Sequence, residues 1–146
     1  MSIYWRYKQS PEGFRKLVEL LETTPMSRRQ KMIDAGLAED SRYTHQALQY
    51  VMEFKDIVGL PDSELAEVLA RSPGRIVAYA LSGLEESQRD RFLKCVPPKL
   101  LGEVKDFLDV TVSPFDISGA RVKLISIARE CERRGLVKTK AIPNAA

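Results

Sequence analysis

One histidine, His45, and two cysteines, Cys95 and Cys131, are all that this chain of 146 residues offers for soft metal binding or thiol chemistry. His45 has no acid or cysteine at ligand spacing, and the cysteines stand apart with no metal-like pattern around them, so no metal site is expected. Both thiols read as small core residues of a reduced, cytoplasmic protein. Catalytic pairings are missing as well. There is no Ser/His/Asp or Cys/His constellation and no phosphate-cradling glycine loop, so no catalytic residue, cofactor or small-molecule substrate is assigned. A surplus of one charge sign is also lacking: 23 basic residues face 20 acidic ones, for a net charge of +3. Basic groups dispersed in this way make a weak electrostatic footprint, and nucleic acid is not expected as a partner. No apolar run approaches the roughly 20 residues that a helix needs to cross a bilayer, so direct membrane insertion is not expected. Residues 1–8 lack the apolar stretch of a signal peptide, and export by that route is not expected.

What is present is the material of an ordinary globular chain. Hydrophobic residues make up 44% and charged residues 29%, and this length can bury a core without staples. Residues 1–10 interleave Tyr4, Trp5 and Tyr7 with Arg6 and Lys8, an aromatic and basic extension expected to dock on its own domain or on a partner. Ser10-Pro11-Glu12 then opens a helix, with Phe14, Leu17, Val18 and Leu21 as its inward stripe, and Thr23-Thr24-Pro25 stops it. A second helix is expected from Arg28 to about Ala35, capped by Ser27 and ended by Gly36. Arg28, Arg29 and Lys31 make a small basic cluster, by default a solvated face. Asp40-Ser41 starts a third helix.

The irregular apolar run from Val51 to Pro61 reads as a joint, with a hinge centred on Val51, Met52, Glu53 and Phe54. Beyond it, a helix from Asp62 or Ser63 carries Leu65, Val68 and Leu69 inward. Another runs from Arg75 to Ser82 with Gly83 as its stop. A third begins at Glu85-Glu86, facing Phe92, Leu93 and Val96 inward and Arg89, Asp90, Arg91 and Lys94 outward. The segment 110–114 reads as an extended loop or a short strand. The last helix begins at about Ile117 or Ser118, with Val122, Ile125 and Ala128 as its core stripe, Leu124, Ile127 and Cys131 beside them, and Gly135 as its end. The segment 138–146 has the composition of a flexible tail.

The most organised stretch is 97–109. Leu100, Leu101, Val104, Phe107 and Leu108 fall within one arc of a helix, and Lys99, Glu103 and Asp106 form a row on the opposite side. Such a row is either a solvated face or a contact face, and pattern alone does not choose. The whole reads as an all-α chain of about eight short helices with tight joints, the size from which α-solenoid units are built.

The order of these features resembles the C-terminal half of the flagellar motor switch protein FliG. The resemblance rests on Gly13-Phe14, on Val51-Met52-Glu53-Phe54-Lys55-Asp56-Ile57, on Leu60-Pro61-Asp62, on Ala80-Leu81-Ser82-Gly83, and on the run Ile125 to Gly135 with its I-A-R-x-x-E-x-x-G pattern. It covers roughly residues 12–137. It implies a short-helix armadillo/HEAT-like fold with right-handed superhelical packing and two helical subunits joined by a hinge. The divisions would be an extension (1–10), a front three-helix unit like the family's linker and middle domain (11–53), a C-terminal-like helical domain (54–137) and a flexible tail (138–146).

The implied function is that of a rotor component in the motor's C-ring, at the cytoplasmic face of the inner membrane. Its charged helix would contact a MotA-like stator subunit, and its other partners would be FliM-like switch proteins and neighbouring FliG-like subunits in a homo-oligomer. Lys99 matches the family's basic position and Asp106 its first acid. Phe107 replaces the second acid and Ser82 the lysine of the family's A-L-K-G. The family's membrane-ring-binding region and most of its middle domain have no counterpart, as in a fragment or a short paralogue. The lost charges also leave open a helical adaptor that uses the fold for protein–protein assembly without torque.

Overall fold

A computed structural model of the chain describes residues 3–143, and every regular element among them is a helix. In order they are α1 (Ile3–Gln9), α2 (Gly13–Thr23), α3 (Met26–Glu39), α4 (Ser41–Tyr50), α5 (Phe54–Val58), α6 (Asp62–Ala70), α7 (Gly74–Ala80), α8 (Glu86–Cys95), α9 (Pro98–Leu108) and α10 (Pro114–Arg133). They fall into two compact units, Met1–Met52 with Lys140–Ala146, and Glu53–Thr139. Met1, Ser2 and residues 144–146, parts of the expected extension and tail, lie outside the described residues.

Among the described residues the first unit holds four helices rather than three, because the aromatic extension is itself helical and packs on α2. Tyr4 is buried, and its hydroxyl donates to the Met32 carbonyl. With Leu17, Val18, Leu21, Ala47, Val51 and Ile142 it forms the core of this unit. Phe14 meets Tyr43 and Tyr50 edge-on, each with ring centroids 5.7 Å away, the geometry that aromatic quadrupoles favour.

The turn into α2 differs from the expected Ser10-Pro11-Glu12 start. The helix begins at Gly13, whose N–H donates to the Ser10 carbonyl at 3.0 Å. A Cβ there would lie 1.5 Å from the Tyr7 carbonyl oxygen, so α1 sits where a side chain would be. Gly36 does not end a helix either. The expected helix 28–35 extends in both directions to Met26–Glu39, and Gly36 lies inside it with the Tyr4 ring and the Thr44 hydroxyl pressed against its Cα. Asp40 caps α4 as expected, accepting from the Tyr43 N–H at 3.1 Å. It is also paired with Lys8, and that hydrogen bond, with the Tyr43 N–H, holds its carboxyl below the usual carboxylate range.

The tail is not loose over its described part. Lys140 Nζ donates to the Val51 carbonyl at 2.8 Å, Arg15 donates to the Ile142 carbonyl at 3.4 Å, and the Ile142 side chain is buried in the core. Removing that side chain from water supplies the drive that a composition-based reading of a polar tail overlooks.

The second unit is built around α7, which packs against both α9 and α10. Its buried residues include Leu65, Val68 and Leu69 from α6, Phe92 from α8, Val104 from α9 and Leu124 from α10. The segment 110–113 is loop, without a strand, and α10 starts about a turn earlier than expected. Ser113 caps it by accepting from the Asp116 N–H at 3.2 Å, and Pro114 fills the first position, where its missing N–H costs little. The stripe of α10 is correspondingly extended by a turn. Leu124, Ile125, Ala128 and Cys131 lie in the core as expected and Ala120 joins them, while Val122 is half-buried.

The end of α10 is specified as expected. Gly135 has φ +76°, its N–H donates to the Glu132 carbonyl at 3.0 Å, and the Leu136 N–H donates to the Cys131 carbonyl at 2.9 Å. This is the Schellman arrangement, which needs a left-handed residue that glycine adopts without strain. Arg91, expected on the solvent face of α8, instead donates to the Val58 and Leu60 carbonyls and to Asp62 Oδ1 at 3.0 Å. It staples the turn between α5 and α6.

Candidate functional site

Helix α9 presents the expected row. Lys99, Glu103 and Asp106 are all exposed, and among the described residues none of the three is ion-paired. On the opposite side Val104 is fully buried, while Leu100, Leu101, Phe107 and Leu108 are half-buried. The helix is therefore fixed by its apolar face and carries three unneutralised charges on the other. Exposed charges of this kind are worth only about 0–1 kcal/mol per pair in stability, so they serve the fold little and remain available to another molecule.

Two features of α7 hold this face in place, and neither was apparent in the sequence. Gly74 lets α7 approach α9 so closely that a Cβ would lie 2.7 Å from Glu103 Cγ. The aliphatic part of Glu103 thus rests on the glycine while the residue stays exposed. Phe107 meets Tyr79 edge-on at 6.0 Å with an interplanar angle of 89°, and the Arg75 guanidinium lies over the Tyr79 ring at 5.8 Å. At the position that the resemblance gives to a second acid, this chain has a ring that packs against α7.

Ser82, at the other departure, contributes its carbonyl. Arg121 of α10 donates to the Ala80 and Ser82 carbonyls at 3.1 and 2.8 Å and lies 4.4 Å over the Phe54 ring. It satisfies the open end of α7, and burial lowers its pKa from the ordinary arginine value. Nothing in the periodicity of α10 distinguishes this arginine from its charged neighbours.

The four residues expected to form a hinge divide at the point where the chain passes from one unit to the other. Val51 and Met52 are buried in the first unit, and the Met52 N–H donates to Glu22 Oε2 at 2.7 Å. Glu53 and Phe54 belong to the second unit. The Glu53 N–H donates to Asp56 Oδ2 at 2.8 Å at the start of α5, and Phe54 packs against Phe92 and under Arg121.

His45 is exposed on α4, and Cys95 and Cys131 are free thiols, raised in pKa mainly by burial. Among the described residues no group of three His, Cys, Asp or Glu side chains could hold a metal ion, and no helix is long and apolar enough to cross a membrane.

The comparison with known proteins agrees with this architecture. The FliG C-terminal domain family matches residues 37–138. The flagellar motor switch protein FliG of Thermotoga maritima is 24% identical over 125 residues, which cover 84% of this chain and 37% of that protein. A crystal structure of FliG from H. pylori superposes with a TM-score of 0.63 at 18% identity, covering 86% of this chain and 60% of that one. Full-length FliG from Aquifex aeolicus gives a TM-score of 0.53 at 22% identity, over 85% of this chain and 39% of that one. The chain thus spans well under half the length of the curated relative that it matches, and shares the armadillo-like helical fold of these structures. With the family match running from within α3 to just past α10, the chain belongs to the FliG C-terminal domain family.

Proposed function

We propose that this protein acts as a component of a flagellar motor switch, with Lys99, Glu103 and Asp106 of α9 as the face that meets a charged partner. The observation that carries the reading is the unpaired row itself: a basic group followed by two acids, all exposed on a helix that is anchored by Val104 and set by Gly74 and Tyr79. Such a face suits a contact that forms and breaks repeatedly. Charge complementarity steers the encounter and fixes its register, while exposed pairs contribute little to residence time. The partner is a stator subunit of the MotA type, and FliM-like switch proteins and neighbouring FliG-like copies are further contacts in a cytoplasmic ring beside the inner membrane. The division of the chain into a front unit and a C-terminal-like domain, with a hinge at Val51, Met52, Glu53 and Phe54, would let the charged face reorient. A few loop residues suffice to absorb such a rotation.

A second reading is supported by the packing of Phe107. Where a second acid would strengthen contact with a stator, this chain has a ring held by Tyr79, and Ser82 stands in place of a lysine. A helical adaptor that keeps the fold and uses α9 for assembly without torque accounts for both departures. Photo-crosslinking in the source cell separates the two. With a crosslinking amino acid at Glu103, an adduct with a stator subunit that is missing from a control at exposed Lys123 is the result expected of a motor component. Adducts with other proteins and none with a stator would establish the adaptor instead.

A further inference from the structure

The chain passes between its two units twice, at Met52/Glu53 and again at Thr139/Lys140. The second crossing is held at both ends. On one side Glu64 Oε1 of α6 accepts from the Lys138 N–H at 3.3 Å, from the Thr139 N–H at 3.4 Å and from the Thr139 hydroxyl at 3.1 Å. On the other, Ile142 is buried with Leu17, Val18 and Leu21, its carbonyl accepts from Arg15, and Lys140 reaches the Val51 carbonyl at 2.8 Å. The two anchored groups, Thr139 and Lys140, are consecutive residues, so there is no slack between the anchors: adjacent Cα atoms can separate by only about 3.8 Å. The first crossing is equally short, since Met52 is bonded to Glu22 in one unit and Glu53 to Asp56 in the other. Lys140 adopts a left-handed φ of +51°, rare for a residue with a side chain, so the segment is bent to fit its seat.

We propose that residues 138–142 form a strap that restrains the joint at 51–54. One taut crossing lets two bodies swivel in any direction, whereas two confine them to rotation about the line joining the crossings. With Ile142 seated, the joint turns about one axis; with Ile142 withdrawn, it becomes free. The strap deepens the hinge reading above and rests on it, but it requires no motor partner.

The test uses the full chain carrying Cys95→Ala and Cys131→Ala, spin-labelled at Gln49→Cys and Ser126→Cys, both exposed and in different units. Pulsed dipolar spectroscopy then reads the distance distribution. A distribution that Ile142→Asp broadens by about twofold or more over this parent is the expected result for release of a two-point restraint. Should Ile142→Asp unfold the first unit, Glu64→Ala cuts the other anchor without touching that core and is expected to broaden the distribution in the same way. Glu64→Gln, which keeps an acceptor oxygen, should leave it at the parent's width. A distribution in the parent already as broad as in the released variants would overturn the strap and leave the hinge standing. A narrow distribution in the parent and in the released variants alike would overturn both.

Discussion

Arg129 and Glu132 are 3% and 5% exposed and lie 2.9 Å apart on α10. They are the charged members of the I-A-R-x-x-E-x-x-G pattern, and their burial shows that the pattern builds the fold rather than a contact surface. Two charges taken out of water recover their desolvation cost only through each other and their remaining hydrogen bonds. Arg129→Ala should therefore destabilise the second unit by about 3–5 kcal/mol, because it strands a buried carboxylate. Arg129→Leu combined with Glu132→Leu should restore most of that loss. Urea unfolding followed by circular dichroism measures both, and a double variant as unstable as the single one would contradict the assignment. The spacing of these residues was visible in the sequence. That they face inward was not, because a charged pair on an amphipathic helix has the same pattern whether it is solvated or buried. Arg91 and Arg121 were hidden for a similar reason: each satisfies carbonyls at or just past the ends of other helices, and no local signal marks a residue whose partners are that far away in sequence.

Gly36 shows where the reading of elements succeeded and where it failed. Hydrophobic stripes located most of the helices, and caps such as Asp40 and stops such as Gly135 were legible because they act through neighbours in sequence. Gly36 carries the local signature of a stop, yet α3 runs through it, since the glycine is there to admit the Tyr4 ring from α1. A close approach between distant segments has no local pattern. Gly74, which makes room for Glu103, is the same case at the site itself. In an exposed helix, Gly→Ala would stabilise by about 1 kcal/mol. At Gly36 the new methyl would lie 2.5 Å from Tyr4 Cζ and 2.6 Å from Thr44 Oγ1. Gly36→Ala should instead lower the stability of the first unit by about 1–2 kcal/mol net, the cost of overpacking outweighing the gain in propensity. A rise in melting temperature for this variant would show that α1 does not press on α3.

For the molecule as a whole, the helical class and the FliG-like order of features could be read from the sequence, as could the exposed row on α9. The described part of the tail could not, because its lysines, threonine and proline mask a single residue, Ile142, that the core of the first unit buries. The central functional claim is that the row on α9 meets a charged partner in a rotating motor. Lys99 and Asp106 are exposed and unpaired among the described residues, so reversing both should leave the helices intact. The most direct measurement is swimming motility of the source strain with Lys99→Glu and Asp106→Lys together in the native gene, the fold of the purified variant being checked by circular dichroism. A folded variant in cells that assemble flagella but rotate them poorly or not at all is the expected result. Unchanged swimming with a folded variant would contradict the claim and leave the adaptor as the function of this chain.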